Sequence, residues 1–115
     1  MTISKHHTSP RMSQLVIHGD TVYLAGQVAN DFDADITVQT EQVLGKIDEL
    51  LTEAETDKSQ ILSAQVLLAN MGYYDQMNHV WEAWMPSGYA PARACIETRL
   101  AVPNLLVEVG IIAAR

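Results

Sequence analysis

The sequence predicts an α+β sandwich: one mixed β-sheet with two helices on one face. Three observations predict it. Two segments carry helical periodicity, around 36–55 and 73–85. Strand-like runs precede, separate and follow them, in the order β-β-α-β-α-β-β, with hairpins at both ends. The whole chain is 115 residues, the size of one domain, so 1–115 is expected to be a single unit built on one sheet.

The first dozen residues are mostly polar. Thr2-Ile3-Ser4 can form an edge strand that Pro10 prevents from continuing. Gln14 to His18 and Thr21 to Val28 are β-rich runs on either side of Gly19-Asp20, which predicts a tight hairpin. Gly26 interrupts the second run and marks a bulge or a close approach by another backbone or a ligand.

Asp33 and Asp35 are candidate N-caps for a helix to about Glu55. Its apolar face is Ile36, Val43, Leu44, Ile47, Leu50, Leu51 and Ala54; Gln39, Glu41, Gln42, Lys46, Asp48, Glu49 and Glu53 form the wet face. Gly45 lies inside it and weakens the helical signal. Ile61 to Leu68 reads as a strand or a continuous apolar run, too apolar for one solvated face. A second helix follows from about Tyr73 to Met85, with Tyr74, Met77, Trp81, Trp84 and Met85 as its stripe, and Pro86-Ser87-Gly88 ends it. Ala90 to Arg115 then forms two strands joined by a short proline-containing turn.

Composition narrows the function. Lys plus Arg total 7 against 14 Asp plus Glu, a net charge of −7, which opposes a nucleic-acid footprint. Hydrophobic residues are 48% and charged residues only 18%, a balance that suits a chain hiding apolar surface between subunits. The single cysteine, Cys95, excludes an internal disulfide and fits a reducing compartment. No apolar run approaches a membrane span, and the N-terminal stretch lacks the apolar core of a secretory signal, so the expectation is cytoplasmic with no membrane partner.

Two charges stand inside apolar strands. Arg93 is either a clamp for a substrate carboxylate or half of an ion pair with Glu97 or Glu108. Glu108, between Val107 and Val109, is a general base or acid, or a salt-bridged strand carboxylate; residue chemistry alone favours the latter. Cys95 has no activating neighbour and reads as a buried thiol, on the same strand face as Arg93. His6, His7, His18 and His79 lack zinc spacing and read as surface histidines, so no metal is expected. Trp81 and Trp84 with Tyr73 and Tyr74 suit core or interface packing better than a nucleobase platform.

The stretch P-A-R-A-C-I-E-T-R-L-A-V-P-N-L-L-V-E-V, Pro91 to Val109, closely resembles the C-terminal signature of the RidA/YjgF family of reactive-intermediate deaminases. Val-Tyr-Leu-Ala-Gly-Gln resembles the family's second strand, and N-H-V-W-E-A-W from Asn78 its second helix. The resemblance implies a chorismate-mutase-like fold assembled as a homotrimer with three clefts between subunits. It implies cofactor-independent hydrolysis of 2-imino and enamine acids, such as 2-aminoacrylate, to 2-keto acids and ammonia. Arg93 then matches the arginine that binds the substrate carboxylate, and Glu108 the glutamate that serves the attacking water. Cys95 matches the cysteine whose main chain holds the substrate, and Gly26 falls in the strand lining the cleft.

The chain departs from the family pattern at Met12, where many members carry tyrosine, and at Ala25, where serine is common; Pro103 falls slightly later than the usual proline. Met12 and Ala25 are expected beside the cleft, where they bear on substrate range. The alternatives are a non-catalytic module that binds a small carboxylate in the same clefts, and the endoribonuclease label that some relatives bear, which the net charge opposes.

Overall fold

The computed structural model describes residues 1–115. Strands β1 (Ile3–Thr8), β2 (Ser13–His18) and β3 (Thr21–Val28) come first, then helix α1 (Ile36–Glu53). Strand β4 (Ile61–Leu68), helix α2 (Tyr74–Trp84), and strands β5 (Ala92–Glu97) and β6 (Val107–Ala114) follow. All six strands join one sheet in the order β1-β2-β3-β6-β4-β5, and only β4 and β5 run parallel. The predicted α+β class holds, and the predicted order β-β-α-β-α-β-β is preceded by one more strand, the N-terminal edge strand, which runs on to Thr8 before Ser9-Pro10 stops it.

The β2–β3 hairpin turns at Gly19, whose φ of +62° is one that L side chains rarely adopt. Asp35 caps α1, its carboxylate accepting from the Val38 N–H at 2.9 Å. Both helices cover one face of the sheet. There Leu15, Leu24, Val66, Val107 and Val109 pack against Val43, Ile47, Leu51, Met77 and Trp81. Strand β4 alternates more than its composition suggested: Ala64, Val66 and Leu68 are buried, while Leu62 is 53% exposed. The apolar residues that hid this alternation lie on the face away from the helices.

One expectation fails. The two closing strands are not a hairpin, because β4 lies between them. The reason is the β4–α2–β5 unit. A helix returns the chain to the starting end of β4, so β5 enters parallel to β4 on its outer side. The segment 98–106 then crosses to the inner side of β4, where β6 pairs antiparallel with both β4 and β3.

Gln39 is the second departure. The helical pattern puts it on the wet face of α1, yet it is fully buried. Its amide donates to the carbonyls of Ala34 and Asn104, both at 3.0 Å, and accepts from the Leu106 N–H at 2.9 Å. This side chain therefore fastens the start of β6 to the start of α1, and no buried polar side-chain atom is left without a partner.

Two substitutions in α1 should move stability in opposite directions. Gly45→Ala places a Cβ where nothing lies within 4 Å and should stabilise by about 0.5–1 kcal/mol. Gln39→Leu strands several backbone groups at the entry to β6 and should cost roughly 2–4 kcal/mol. Urea unfolding of the two variants checks both signs; a neutral Gln39→Leu would contradict the fastening role.

Candidate functional site

Arg93 lies on β5, at the edge of the sheet. Its register neighbours run Ala64, Ile111, Leu24 and Leu15, all buried core residues, so its side chain belongs to the helix-covered face. There it meets α2. The guanidinium carbon lies 5.1 Å from the Trp81 ring centroid and 5.9 Å from that of Tyr74. One terminal nitrogen donates to the Tyr74 hydroxyl at 3.4 Å, the other points to the Met77 sulfur at 3.9 Å. Neither suggested ion pair forms. Glu97 instead accepts from the Met71 N–H at 2.8 Å, no Lys or Arg lies within ion-pair distance of a carboxylate, and the His6 and His7 rings contact Glu53. Arg93 is thus a half-buried cation with neutral partners only, which leaves its charge available to an incoming anion.

Cys95 shares that face, as its spacing from Arg93 predicted. Burial pushes its thiol above the ordinary value, and the Arg93 charge only partly opposes this, so the group is a thiol rather than a thiolate near neutrality. Its main chain is placed differently. The Thr98 N–H donates to the Leu68 carbonyl at 2.9 Å, so residues 98, 96 and 94 turn their peptide groups toward β4. By alternation, the N–H and C=O of Arg93 and Cys95 point out from the free edge of the sheet. A ligand carboxylate held by Arg93 would lie beside these unpaired peptide groups.

Glu108 occupies the opposite face. Its register row is Val28, Leu67 and Ile96, turned away from the helices. The carboxylate stands against Gly26, where an added Cβ would collide with it. This is the physical reason for the glycine. Between Leu24 and Gln27 the β3–β6 register shifts, so Ala25-Gly26 forms a bulge opposite a single residue, and the missing side chain leaves room for the carboxylate. Glu108 has no cationic partner.

Glu108 and Gly26 open into a groove of about 900 Å³ that Met12 and Ala25 also line, together with Val102 and Lys46. The two departures from the family pattern therefore line the same groove as the glutamate. Lys46 donates to the Val28 carbonyl at 2.8 Å, bringing a positive charge to the groove. His7 and Glu53 reach the same groove and contact each other at 2.8 Å, with His7 at a φ of +55°. His18 and His79 are exposed, and no group of three His, Cys, Asp or Glu side chains is placed to hold a metal ion.

The endoribonuclease L-PSP family model matches residues 2–115. The chain belongs to this family. A RutC family protein of Haemophilus ducreyi is 46% identical over 97% of this chain and 96% of its own length. The RutC family protein YoaB of Escherichia coli is 39% identical over 99% of both chains. Among solved structures, an uncharacterized protein from Pseudomonas aeruginosa is 42% identical with a TM-score of 0.97, covering 99% of both chains. A member of the YjgF protein family from Neisseria meningitidis is 41% identical with a TM-score of 0.96, covering all of this chain and 96% of that one. These likenesses agree with the resemblance read from Pro91–Val109 and with the α+β fold.

Four parts of the site lay outside the sequence reading. The ring-to-guanidinium contacts of Tyr74 and Trp81 were hidden because both residues also fit an apolar helix stripe. Lys46 looked like any solvated helix lysine, and the His7–Glu53 contact joins residues 46 positions apart. Only Gln39 left a signal, since it directly precedes Thr40 near the apolar face and sits one turn from Ile36.

The state of Cys95 is directly measurable. Alkylation by iodoacetamide, followed by mass spectrometry across pH, should show a midpoint above that of an ordinary cysteine, with slow reaction at pH ~7. A midpoint at or below the ordinary value would mean that the Arg93 charge outweighs burial.

Proposed function

We propose that this protein hydrolyses reactive 2-imino and enamine acids, such as 2-aminoacrylate and its imine tautomer, to 2-keto acids and ammonia. The observation that carries the reading is the pair of uncompensated charges, Arg93 at the free edge of the sheet and Glu108 in a groove. They lie on opposite faces of one sheet with β4 between them, so a single chain cannot apply both to a three-carbon substrate. A second copy can. The catalytic site is accordingly composite, with Arg93 and the Cys95 main chain from one subunit and Glu108 and Gly26 from another.

A homotrimer is the assembly proposed. Its support is the sheet face left uncovered by helices, where Tyr23 and Ile112 pair across β3 and β6 at 43% and 37% exposure and Ile96 reaches 54%. Burying such a row between subunits is favourable at roughly 25 cal/mol per Å² of apolar surface.

In this site the Arg93 guanidinium holds the substrate carboxylate, and the outward peptide groups at Cys95 fix its orientation. The imine carbon is already electrophilic. Glu108 takes a proton from water as the water oxygen adds to that carbon, the C=N π pair moves onto nitrogen, and Glu108 passes that proton to the nitrogen. The carbinolamine then collapses. Glu108 takes the proton of the new hydroxyl and delivers it to the amino nitrogen as the C–N bond breaks and the C=O bond forms, so that ammonia leaves with both protons of the water. Nothing in this sequence of steps calls for an external cofactor.

The test generates 2-aminoacrylate with a serine dehydratase and follows pyruvate release. Wild type should accelerate release; Arg93→Ala should raise KM at least about tenfold, and Glu108→Gln should lower kcat by about 10²–10⁴. Gly26→Ala should behave like a weaker Glu108 variant. Equal rates with and without protein would refute the reading. Thermal stabilisation by 2-ketobutyrate without any turnover would favour the carboxylate-binding module instead. Cleavage of RNA at low salt would favour a nuclease, against a net charge of −7.

A further inference from the structure

The residues that hold Arg93 form an arrangement of their own. Tyr74, Met77 and Trp81 fall at steps of three and four along α2, so they share one face of the helix, and all three touch the guanidinium. None of them is charged. The support extends further into the protein. Trp81 packs against Trp84, with ring centroids 5.5 Å apart and planes inclined by 57°. The Trp84 indole N–H donates to the Asp48 carboxylate at 2.9 Å, and Lys58 lies 5.1 Å from the centre of the Trp84 ring. One end of the indole pair is thus anchored to α1, and the other end lies under Arg93.

A core that merely needed filling would be served by leucine, and a guanidinium that merely needed a partner would be served by a carboxylate. The first would leave a half-buried cation unsupported. The second would neutralise it and compete with any anionic ligand. An aromatic face attracts a guanidinium through its quadrupole while leaving the in-plane N–H donors open.

We propose that Trp81 and Tyr74 are positioning residues for Arg93, holding its guanidinium in a neutral aromatic cradle so that its charge and donor edge stay ready for a ligand carboxylate. The proposal rests on the reading of Arg93 as the carboxylate-binding group. Trp81 contributes most, because indole gives the strongest cation–π attraction and because Trp84 and Asp48 fix its plane. Tyr74, 38% exposed, covers the outer side and adds the hydroxyl contact.

The experiment compares Trp81→Phe, Trp81→Leu, Tyr74→Leu and Arg93→Ala in the assembled protein. It measures 2-ketobutyrate affinity by calorimetric titration, and KM and kcat with enzymatically generated 2-aminoacrylate. Loss of the ring should weaken 2-ketobutyrate binding about three- to tenfold for Trp81→Leu, with KM rising more than kcat falls, and Trp81→Phe should recover part of the loss. Tyr74→Leu, at an exposed position where folding is not at stake, should weaken binding about twofold to threefold. Intrinsic tryptophan emission should also change on adding 2-ketobutyrate to wild type and stay constant in Arg93→Ala.

If Arg93→Ala abolishes binding while folded Trp81→Leu and Tyr74→Leu bind like wild type, the cradle is overturned and the role of Arg93 stands. If Arg93→Ala binds like wild type, the underlying site reading fails and the cradle with it. A purely structural role for Trp81 would lower Tm without separating KM from kcat.

Discussion

The insertion of β4 between β5 and β6 is the constraint on which the site depends. It sets Arg93 and Glu108 two strands apart and, through the register, on opposite faces. Arg93 shares its row with Ala64 and the core, whereas Glu108 shares its row with Leu67 and Ile96 on the uncovered face. A direct hairpin would have made the two charges neighbours and invited them to neutralise each other. Kept apart, each stays uncompensated, and each faces a different boundary of the molecule.

The structure keeps these charges available by local means that differ in kind. Arg93 is steadied by aromatic rings and a thioether, none of which cancels its charge. Glu108 is given room by a bulge and a glycine. Behind it, buried Gln39 fastens Asn104 and Leu106 to α1 and so fixes where β6 begins, one residue before the glutamate. Losing such a buried hub exposes several backbone groups to an apolar environment at once, which is why one neutral amide can matter as much as a core methylene.

Much of this was legible in the amino-acid order, and the rest was not for identifiable reasons. Helix α1, the Gly19 turn and the bulge at Gly26 follow from local rules: periodicity, positive φ and a glycine within a β run. The fate of the last two strands does not, because pairing order in a sheet is a property of the whole chain and a nearby proline suggests a turn whether or not the strands meet. The alternation of β4 was masked because both of its faces are apolar, one for the core and one for the uncovered side. Arg93 and Glu108 were visible as anomalies. Their separation, and the rings that hold one of them, depended on contacts between α2 and β5 that spacing alone cannot express.

The proposed site draws Arg93 from one subunit and Glu108 from another, so two variants that are inactive alone should complement each other when mixed. Arg93→Ala and Glu108→Gln subunits are unfolded together and refolded, and imine hydrolysis is measured. Composite sites in a closed trimer predict recovery to about one quarter of wild-type activity, since mixed trimers each regain one intact site. Activity no greater than the average of the two separate variants would contradict the claim.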